Sequence, residues 1–355
     1  MITLQKETIA LLEDLERRLD AATEDDFAAQ WEDFLFDRFD GDLFTPHRKK
    51  ITQPGISLPD VHINDAIDNV ELMLRAQLSD AAKALSSRTL NTCIRANYGT
   101  GILSSLFGAE LFIMPRDTNT LPTTRPFNDT EKIRSLLDAG IPSLTNGLGQ
   151  RVFDFAELCA EALEHYPLVK KYVEVYHPDA QGPLDIAELM WGSEMFYTMY
   201  DEPELVHGFL ELIRDTYIAF MEKWFDIFPS EGEVHCHWAS LRHRGHILLR
   251  NDSAMNLSPQ LYSEFSVPYD AALLAHFNGG VMHFCGRGDH YIDALCSIPG
   301  LTGVNMSQPE YNNMETIYRC TVDRGIKLLA FSRTYAEEAL TRPNGVHHNI
   351  HANLR

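Results

Sequence analysis

The sequence lacks long hydrophobic runs and contains few cysteines. No apolar stretch among its 355 residues reaches the roughly 18 residues that a membrane-spanning helix requires. Residues 1–18 are charged and amphipathic and carry no apolar core typical of a signal peptide. Six cysteines stand singly in a long chain, which is typical of free thiols in a reducing compartment. These absences predict a cytoplasmic protein with no membrane partner.

Basic residues are also scarce. The chain has 30 Lys and Arg against 51 Asp and Glu, which gives a formal net charge of −21. Nucleic acids and anionic membranes bind basic surfaces, so neither is an expected partner. A small-molecule substrate stays open, because a local pocket of arginines and histidines can hold an anion in an acidic protein.

Short apolar segments alternate with helical patterns after residue 89. Helices are predicted at residues 64–86, 129–139, 153–165 and 202–228, the last with Asp201 and Glu204 as a capping box. Residues 184–189 fit a strand or a helix. Strands are predicted at residues 90–97, 172–175, 234–237, 246–250, 281–284, 303–306, 327–331 and 345–350.

This repeated order predicts a parallel sheet with right-handed crossovers. About eight repeats favour a closed (β/α)8 TIM barrel over an open sheet. Residues 61–355 are assigned to this barrel, and residues 1–60 to an N-terminal helical extension and arm.

Polar residues are dense where the predicted strands end, and that is where barrel enzymes place their active sites. Ten of the fifteen histidines lie between residues 235 and 351. The predicted substrate-binding residues are Arg95, Asn97, Arg250, Arg287, Asn305 and Arg333. Their guanidinium groups suit carboxylate binding, and the alternative is pairing with acids such as Asp252 and Asp289. The predicted catalytic residues are Asp252, His237 and Tyr98, where Asp252 is a general base, a residue that orients a histidine, or simply a turn residue.

His283 and Cys285 are the best metal-ligand candidates. Two residues apart at a strand end, they face one side, and imidazole with thiolate favours zinc. His235 and His237 likewise share a face, so one of them could supply a further ligand or bind substrate, and His235 is taken as the metal-ligand candidate. The alternative interpretation is a hydrogen-bonded core histidine beside a small buried cysteine.

Four segments carry a resemblance to a known family. They are residues 95–103, 256–269 and 298–305 together with the strand end Met282-His283-Phe284-Cys285-Gly286. Over roughly residues 90–335 the chain resembles the uroporphyrinogen decarboxylase superfamily. The resemblance implies a (β/α)8 barrel similar in fold to cobalamin-independent methionine synthase. It also implies kinship with zinc-dependent enzymes that move a methyl group from a corrinoid protein to a thiol.

Three departures from the family pattern are visible. Residues 1–60 contain no Arg-Gln-Ala-Gly-Arg segment of the kind that grips porphyrinogen carboxylates. The aspartate that true decarboxylases carry on an early strand has no assigned counterpart. The zinc methyltransferases carry a late cysteine at the last strand, where this chain instead ends with His347, His348 and His351.

Three functions follow as hypotheses. The first is a methyltransferase in which His283 and Cys285, with His235, His237 or His347, hold zinc, and in which a corrinoid protein donates the methyl group. The second is a metal-free decarboxylase that uses the strand-end arginines and Asp252. The third is a non-catalytic binding subunit of a methyl-transfer system. The sequence leaves the oligomeric state open, with a homodimer as one alternative.

Overall fold

The computed structural model describes residues 4–352. Its helices are α1 (Lys6–Arg18), α2 (Ala21–Leu35), α3 (Ile63–Asp68), α4 (Val70–Ala84), α5 (Ile102–Leu106), α6 (Thr130–Ala139), α7 (Gly149–Leu163), α8 (Pro167–Tyr172), α9 (Pro183–Trp191), α10 (Glu194–Asp201), α11 (Pro203–Ile227), α12 (Pro259–Phe265), α13 (Val267–His276), α14 (Ile292–Leu295), α15 (Met314–Cys320) and α16 (Arg333–Ala339). Its strands are β1 (Cys93–Ile94), β2 (Glu110–Phe112), β3 (Thr123–Arg125), β4 (Glu174–Val175), β5 (Val234–His237), β6 (Leu241–Arg244), β7 (Ile247–Arg250), β8 (Gly280–Phe284), β9 (Leu301–Met306), β10 (Lys327–Phe331) and β11 (Ile350–Ala352). Short 3₁₀ helices lie at Arg116–Thr118, Asp252–Asn256, Pro309–Tyr311 and Val322–Arg324.

The central element is a parallel sheet of five strands in the order β11-β10-β9-β8-β7, and helices connect its strands. Strands β1 and β4 form a separate parallel pair. The predicted α/β class and the parallel sheet are therefore confirmed. Within residues 4–352, the backbone ladders join five and two parallel strands and do not form one continuous ring of eight.

The two faces of the main sheet have different neighbours, because side chains alternate along each strand. On one face Leu249, Met282 and Val304 belong to the large hydrophobic core, and buried side chains from most of the surrounding helices complete that core. On the other face Leu248 and Val281 form a smaller cluster. Continuing along this second face, the strands end in polar residues, and these build the candidate site.

Strands β5 and β6 form an antiparallel hairpin. The strand predicted at residues 234–237 is confirmed, but its partner is β6 and not a parallel neighbour. Leu241 of β6 packs in the smaller cluster with Leu248 and Val281. The hairpin therefore lies against the site-bearing face of the main sheet, and its turn is directed towards the ends of the strands.

Local side-chain hydrogen bonds set several of the helix boundaries. Asp129 caps α6, because its carboxylate accepts hydrogen bonds from the backbone N–H groups of Glu131 and Lys132. The helix predicted at residues 64–86 is instead two helices that are separated at Asn69. The Asn69 side-chain oxygen caps α4 because it accepts a hydrogen bond from Leu72 N at 3.0 Å. The segment predicted as strand or helix at residues 184–189 lies in helix α9.

Two predicted features are wrong. The capping box of Asp201 and Glu204 does not form, because α11 begins at Pro203 and its N-cap is Glu202, which makes no side-chain cap bond. The strand predicted at residues 345–350 begins only at Ile350. His347 and His348 have φ values of 50° and 61°, and this left-handed backbone cannot continue a strand.

The N-terminal helices pack tightly on the rest of the chain. Extended backbone at Phe44 pairs with β11, since Phe44 N donates to Ile350 O at 2.9 Å and Ala352 N donates to Phe44 O at 3.0 Å. The Phe44 ring stacks on Phe34 of α2 with centroids 4.4 Å apart. Among residues 4–352, no helix is both long enough and apolar enough to cross a membrane.

A buried histidine makes stability depend on pH. His351 is 2% exposed, its Nδ1 accepts the Ala330 N–H at 3.0 Å, and its ring lies 4.5 Å from Trp31. Burial lowers its pKa to about 3. The unfolded chain therefore binds a proton that the folded chain rejects, so stability is complete above the ordinary histidine pKa of about 6.5 and falls as pH falls below it.

We expect the free energy of unfolding to decrease between about pH 7.5 and about pH 5, with His351 contributing about 2 kcal/mol to the loss. His351→Gln should be less stable at the higher pH but should lose that much less on acidification. Denaturant unfolding at both pH values measures this, and His165→Gln, at an exposed position, controls for the substitution. Equal pH dependence in wild type and His351→Gln would contradict the assignment.

Candidate functional site

Three polar residues lie side by side across three adjacent strands. Arg250 of β7 is in register with His283 of β8, and His283 is in register with Asn305 of β9. The Asn305 amide nitrogen donates to the Leu329 carbonyl oxygen at 2.7 Å, so Asn305 Oδ1 is turned towards His283. His283 Nδ1 lies 2.6 Å from that oxygen, which can only accept a hydrogen bond.

This contact fixes the histidine tautomer. With the proton on Nδ1, the Nε2 lone pair of His283 is directed towards Asp252 and Cys285. Burial lowers the pKa of His283, which keeps the ring neutral. A neutral imidazole whose second nitrogen donates to an amide oxygen is the form that ligates metals.

Asp252, His283 and Cys285 bring one oxygen, one nitrogen and one sulfur donor within 4.8 Å of one another. His283 Nε2 lies 3.5 Å from Asp252 Oδ1 and 3.3 Å from Cys285 Sγ. Tetrahedral zinc with ordinary bond lengths places such donors roughly 3.3–3.6 Å apart. The donor set and the two distances from His283 therefore fit zinc with three protein ligands and an open fourth position.

Asp252 is held in place from behind. The buried carboxylate of Asp185 on α9 accepts the backbone N–H groups of Asp252 and Ser253 at 2.9 and 2.7 Å. Burial, followed by the charge of Asp252, raises the pKa of Asp185 to about 7. In front, Cys285 N donates to Asp252 Oδ1 at 2.8 Å, so the loops that carry two candidate ligands are tied together.

Asp179 is the residue that the sequence interpretation missed. Its Oδ2 accepts hydrogen bonds from Arg95 Nη1 at 2.6 Å, Arg250 Nη1 at 2.9 Å and Trp238 Nε1 at 3.1 Å. Burial alone would raise the pKa of this carboxyl, but the charge of Arg95 and the contacts of His237 and Arg250 hold it well below its usual range. Asp179 comes four residues after β4. A strand was predicted at residues 172–175, and searching for polar residues just after it, as was done for the other strands, would have found Asp179.

A cavity of about 530 Å³ opens beside the candidate ligands. Its lining comprises Arg95, Leu121, Asp179, Trp238, Ser240, Arg250, His283, Cys285, Asn305, Met306, Ser307, Ala330, Ser332 and Arg333. Three arginines and one aspartate lie in this lining, and Arg250 and Arg333 also pair with Asp252 and Glu337. The arginine side chains suit a substrate with an anionic group that competes for these contacts.

The structure brings seven of the predicted site residues to this region. They are Arg95, Arg250, Asn305, Arg333, His283 and Cys285, which line the cavity, and Asp252, which contacts His283 and Cys285. The paired-arginine alternative also applies, since Arg95 and Arg250 both bond Asp179, and Arg333 Nε donates to Glu337 at 2.7 Å.

Other predicted residues lie elsewhere. Tyr98 is fully buried in the hydrophobic core, and Asn97 is half-buried beside it. Arg287 is exposed and pairs with Asp289 at 2.8 Å. His237 is buried behind Asp179, 3.6 Å from its Oδ1.

The predicted third ligand, His235, does not reach the group. It lines a separate cleft with Glu174 and His246, and its Nε2 lies 3.2 Å from Ser230 Oγ. His347, the other candidate, is half-exposed beside Asp323. Asp252, a predicted catalytic residue, is the third member of the candidate group instead.

Comparison with known proteins shows the fold. No protein-family model and no curated protein matches the chain. Among solved structures, a methyltransferase from Methanosarcina mazei is similar to it. The match covers 82% of this chain and 80% of that chain with a TM-score of 0.55. At 16% sequence identity the likeness establishes a shared fold and nothing about the reaction.

The cysteine accessibilities give a direct test of the site. Cys285 is half-buried, whereas the other five cysteines are buried. Burial raises the pKa of the Cys285 thiol, so little thiolate is present at neutral pH. In metal-free native protein, iodoacetamide should modify Cys285 first, slowly near about pH 7 and much faster above about pH 9.

Peptide mass spectrometry measures this selectivity, and Cys285→Ser should remove the native-state modification. Denatured protein should react at all six cysteines. Rapid labelling of a different cysteine, or a Cys285 rate that does not change with pH, would disagree with the geometry.

Proposed function

We propose that this chain is a zinc-dependent methyltransferase of the uroporphyrinogen decarboxylase superfamily, acting on a thiol. The observation that carries the proposal is the Asp252, His283 and Cys285 group, with Asn305 fixing the imidazole tautomer. The similarity to a solved methyltransferase structure supports it at the level of fold. We further propose that the five-stranded sheet and the pair of β1 and β4 belong to one (β/α)8 barrel.

The three ligand residues divide the work by their chemistry. Cys285 and Asp252 supply two negative charges when both are ionised, and His283 supplies a neutral donor, so the group balances a divalent cation. Zinc held there would keep a substrate thiol deprotonated at neutral pH. Asn305 and Asp185 would not touch the metal. Asn305 fixes the His283 ring, and Asp185 fixes the backbone at Asp252.

The cavity would orient the acceptor. Arg95, Arg250 and Arg333 line the cavity together with His283 and Cys285, and Arg250 Nη2 lies 3.4 Å from Asp252 Oδ2. Their guanidinium groups suit an anionic end of the substrate, and its thiol would then be directed towards Cys285. Holding both ends limits the sulfur to a short range of positions, and such orientation lowers the barrier to transfer.

A corrinoid protein is the proposed methyl donor. In the transfer, the thiol proton passes to solvent and the sulfur lone pair attacks the methyl carbon. The new sulfur–carbon bond forms as the bond between the methyl group and the donor breaks, and that electron pair leaves with the donor. This partner, a homodimeric assembly and a cytoplasmic location are proposals that rest on the sequence.

The other two hypotheses have less support. A metal-free decarboxylase could use Arg95 and Arg250 to hold a substrate carboxylate, but it would give no role to His283 with its fixed tautomer beside Cys285. A non-catalytic binding subunit would not need the His283 tautomer to be fixed towards two further donors.

Zinc content tests the ligand assignment. We expect about one zinc per chain in the wild type and well under one in His283→Ala and in Cys285→Ser. Asp252→Asn should also lose zinc, whereas His235→Gln should retain it, because His235 lines a different cleft. Metal analysis of the dialysed proteins measures this. Zinc loss in His235→Gln together with full retention in Asp252→Asn would reverse the assignment.

The tautomer argument gives a graded prediction. Asn305→Leu keeps the size of the side chain but removes the acceptor for His283 Nδ1, so zinc affinity should fall about 10- to 100-fold. Competition with a chelator of known affinity measures the change. A dissociation constant equal to that of the wild type would mean that Asn305 does not control the imidazole.

Methyl transfer is tested with methylcobalamin as donor and 4-mercaptobutyrate as acceptor. The zinc-loaded wild type should form the S-methyl product, and His283→Ala should not. Product is followed by mass spectrometry and donor demethylation by absorbance. Unchanged product formation after complete zinc removal would contradict the proposal.

A further inference from the structure

The turn of the β5–β6 hairpin has an unusual backbone. Trp238 and Ala239 have φ values of 51° and 56°, so two consecutive residues with side chains adopt the left-handed region that favours glycine. Ser240 N donates back to Trp238 O at 2.5 Å, which closes the turn. Strain of this kind persists only where surrounding contacts hold it, and it concentrates at functional sites.

Contacts on both sides hold the turn. The Asn91 backbone and side-chain N–H groups both donate to Ala239 O, at 2.7 and 2.9 Å. On the cavity side the Trp238 indole N–H donates to Asp179 Oδ2 at 3.1 Å. The strained backbone therefore positions the bulky Trp238 side chain on the cavity side of the turn, and the hydrogen bond to Asp179 fixes its orientation.

The Trp238 indole lies beside the candidate ligand group. Its ring centre is 5.1 Å from that of His283 with the planes at 84°, and Arg250 Cζ lies 5.6 Å from its centre. Within the described part of the chain, it is the one Phe, Tyr or Trp side chain in the cavity lining, and the other apolar residues there are Leu121, Met306 and Ala330.

From these contacts we infer that Trp238 is a specificity-determining residue, and that its indole is the wall against which the carbon chain of an anionic substrate packs. The arginines bind the anionic end and Cys285 faces the reacting end, so the segment between them passes Trp238. The inference rests on the proposed function for the identity of the reacting end. The packing on the indole does not depend on zinc.

The tryptophans of the protein make this measurable. Trp31, Trp191 and Trp224 are 0% exposed, whereas Trp238 is partly exposed to the cavity. Acrylamide should therefore quench mainly Trp238, and Trp238→Phe should remove most of the quenchable emission. Butyrate, an anion with a short carbon chain and no thiol, should protect Trp238 from quenching in a saturable manner. A lack of protection at any butyrate concentration would overturn the inference.

Substitutions then separate packing from metal binding. Trp238→Ala should raise the dissociation constants of butyrate and 4-mercaptobutyrate roughly tenfold by calorimetry, while Trp238→Phe should stay within about threefold of the wild type. Zinc content should be unchanged in both variants. Binding of butyrate to a folded Trp238→Ala variant as tightly as to the wild type would overturn the inference.

The two probes distinguish this inference from the proposed function. Tighter binding of 4-mercaptobutyrate than of butyrate, lost in His283→Ala, reports on the zinc–thiol interaction. Dependence of both probes on Trp238 in the metal-free protein supports the inference even where zinc is not found. Dependence on zinc without dependence on Trp238 supports the function and rejects the inference. Should Trp238→Ala fail to fold, the protection experiment on the wild type decides.

Discussion

The direction of a single amide controls what this site can do. The Leu329 carbonyl can only accept a hydrogen bond, so it fixes Asn305 with its nitrogen towards β10 and its oxygen towards His283. The opposite orientation would present an N–H to His283 Nδ1 and force the ring proton onto Nε2. His283 would then donate a hydrogen bond towards Asp252 and Cys285, and Nε2 would have no lone pair for a metal ion held among the three residues. The difference between a metal ligand and an ordinary hydrogen-bonded histidine therefore originates in the backbone of the neighbouring strand.

Asp179 has the corresponding role for the cavity walls. Arg95 follows β1, Trp238 is in the hairpin turn and Arg250 ends β7, yet all three donate to the same carboxylate oxygen. Two guanidinium groups at close range would repel each other without it. One buried acid thus lets positive charge accumulate where a substrate anion would bind. It also couples the position of the indole to that charge.

Much of this could be predicted from the sequence, and the failures have physical causes. Strands β8 and β10 are short apolar runs between clear breaks, so their limits and the row of polar residues at their ends followed from pattern. The hairpin did not, because alternation along residues 234–237 indicates a strand without indicating its partner. The third member of the candidate ligand group did not follow either. In the sequence, Asp252 and His235 are both polar residues in or next to a predicted strand, and nothing marks either of them as the neighbour of His283. Only the register of β7 on β8 places Asp252 beside His283.

The pairing of Phe44 with β11 has a consequence for biosynthesis. The segment around Phe44 leaves the ribosome some three hundred residues before Ile350 and Ala352, its hydrogen-bond partners. Until those residues emerge, the aromatic rings of α2 lack the His351 edge that covers them. The nascent chain therefore presents an aromatic surface early and buries it late, and this interval is when it would most need a chaperone.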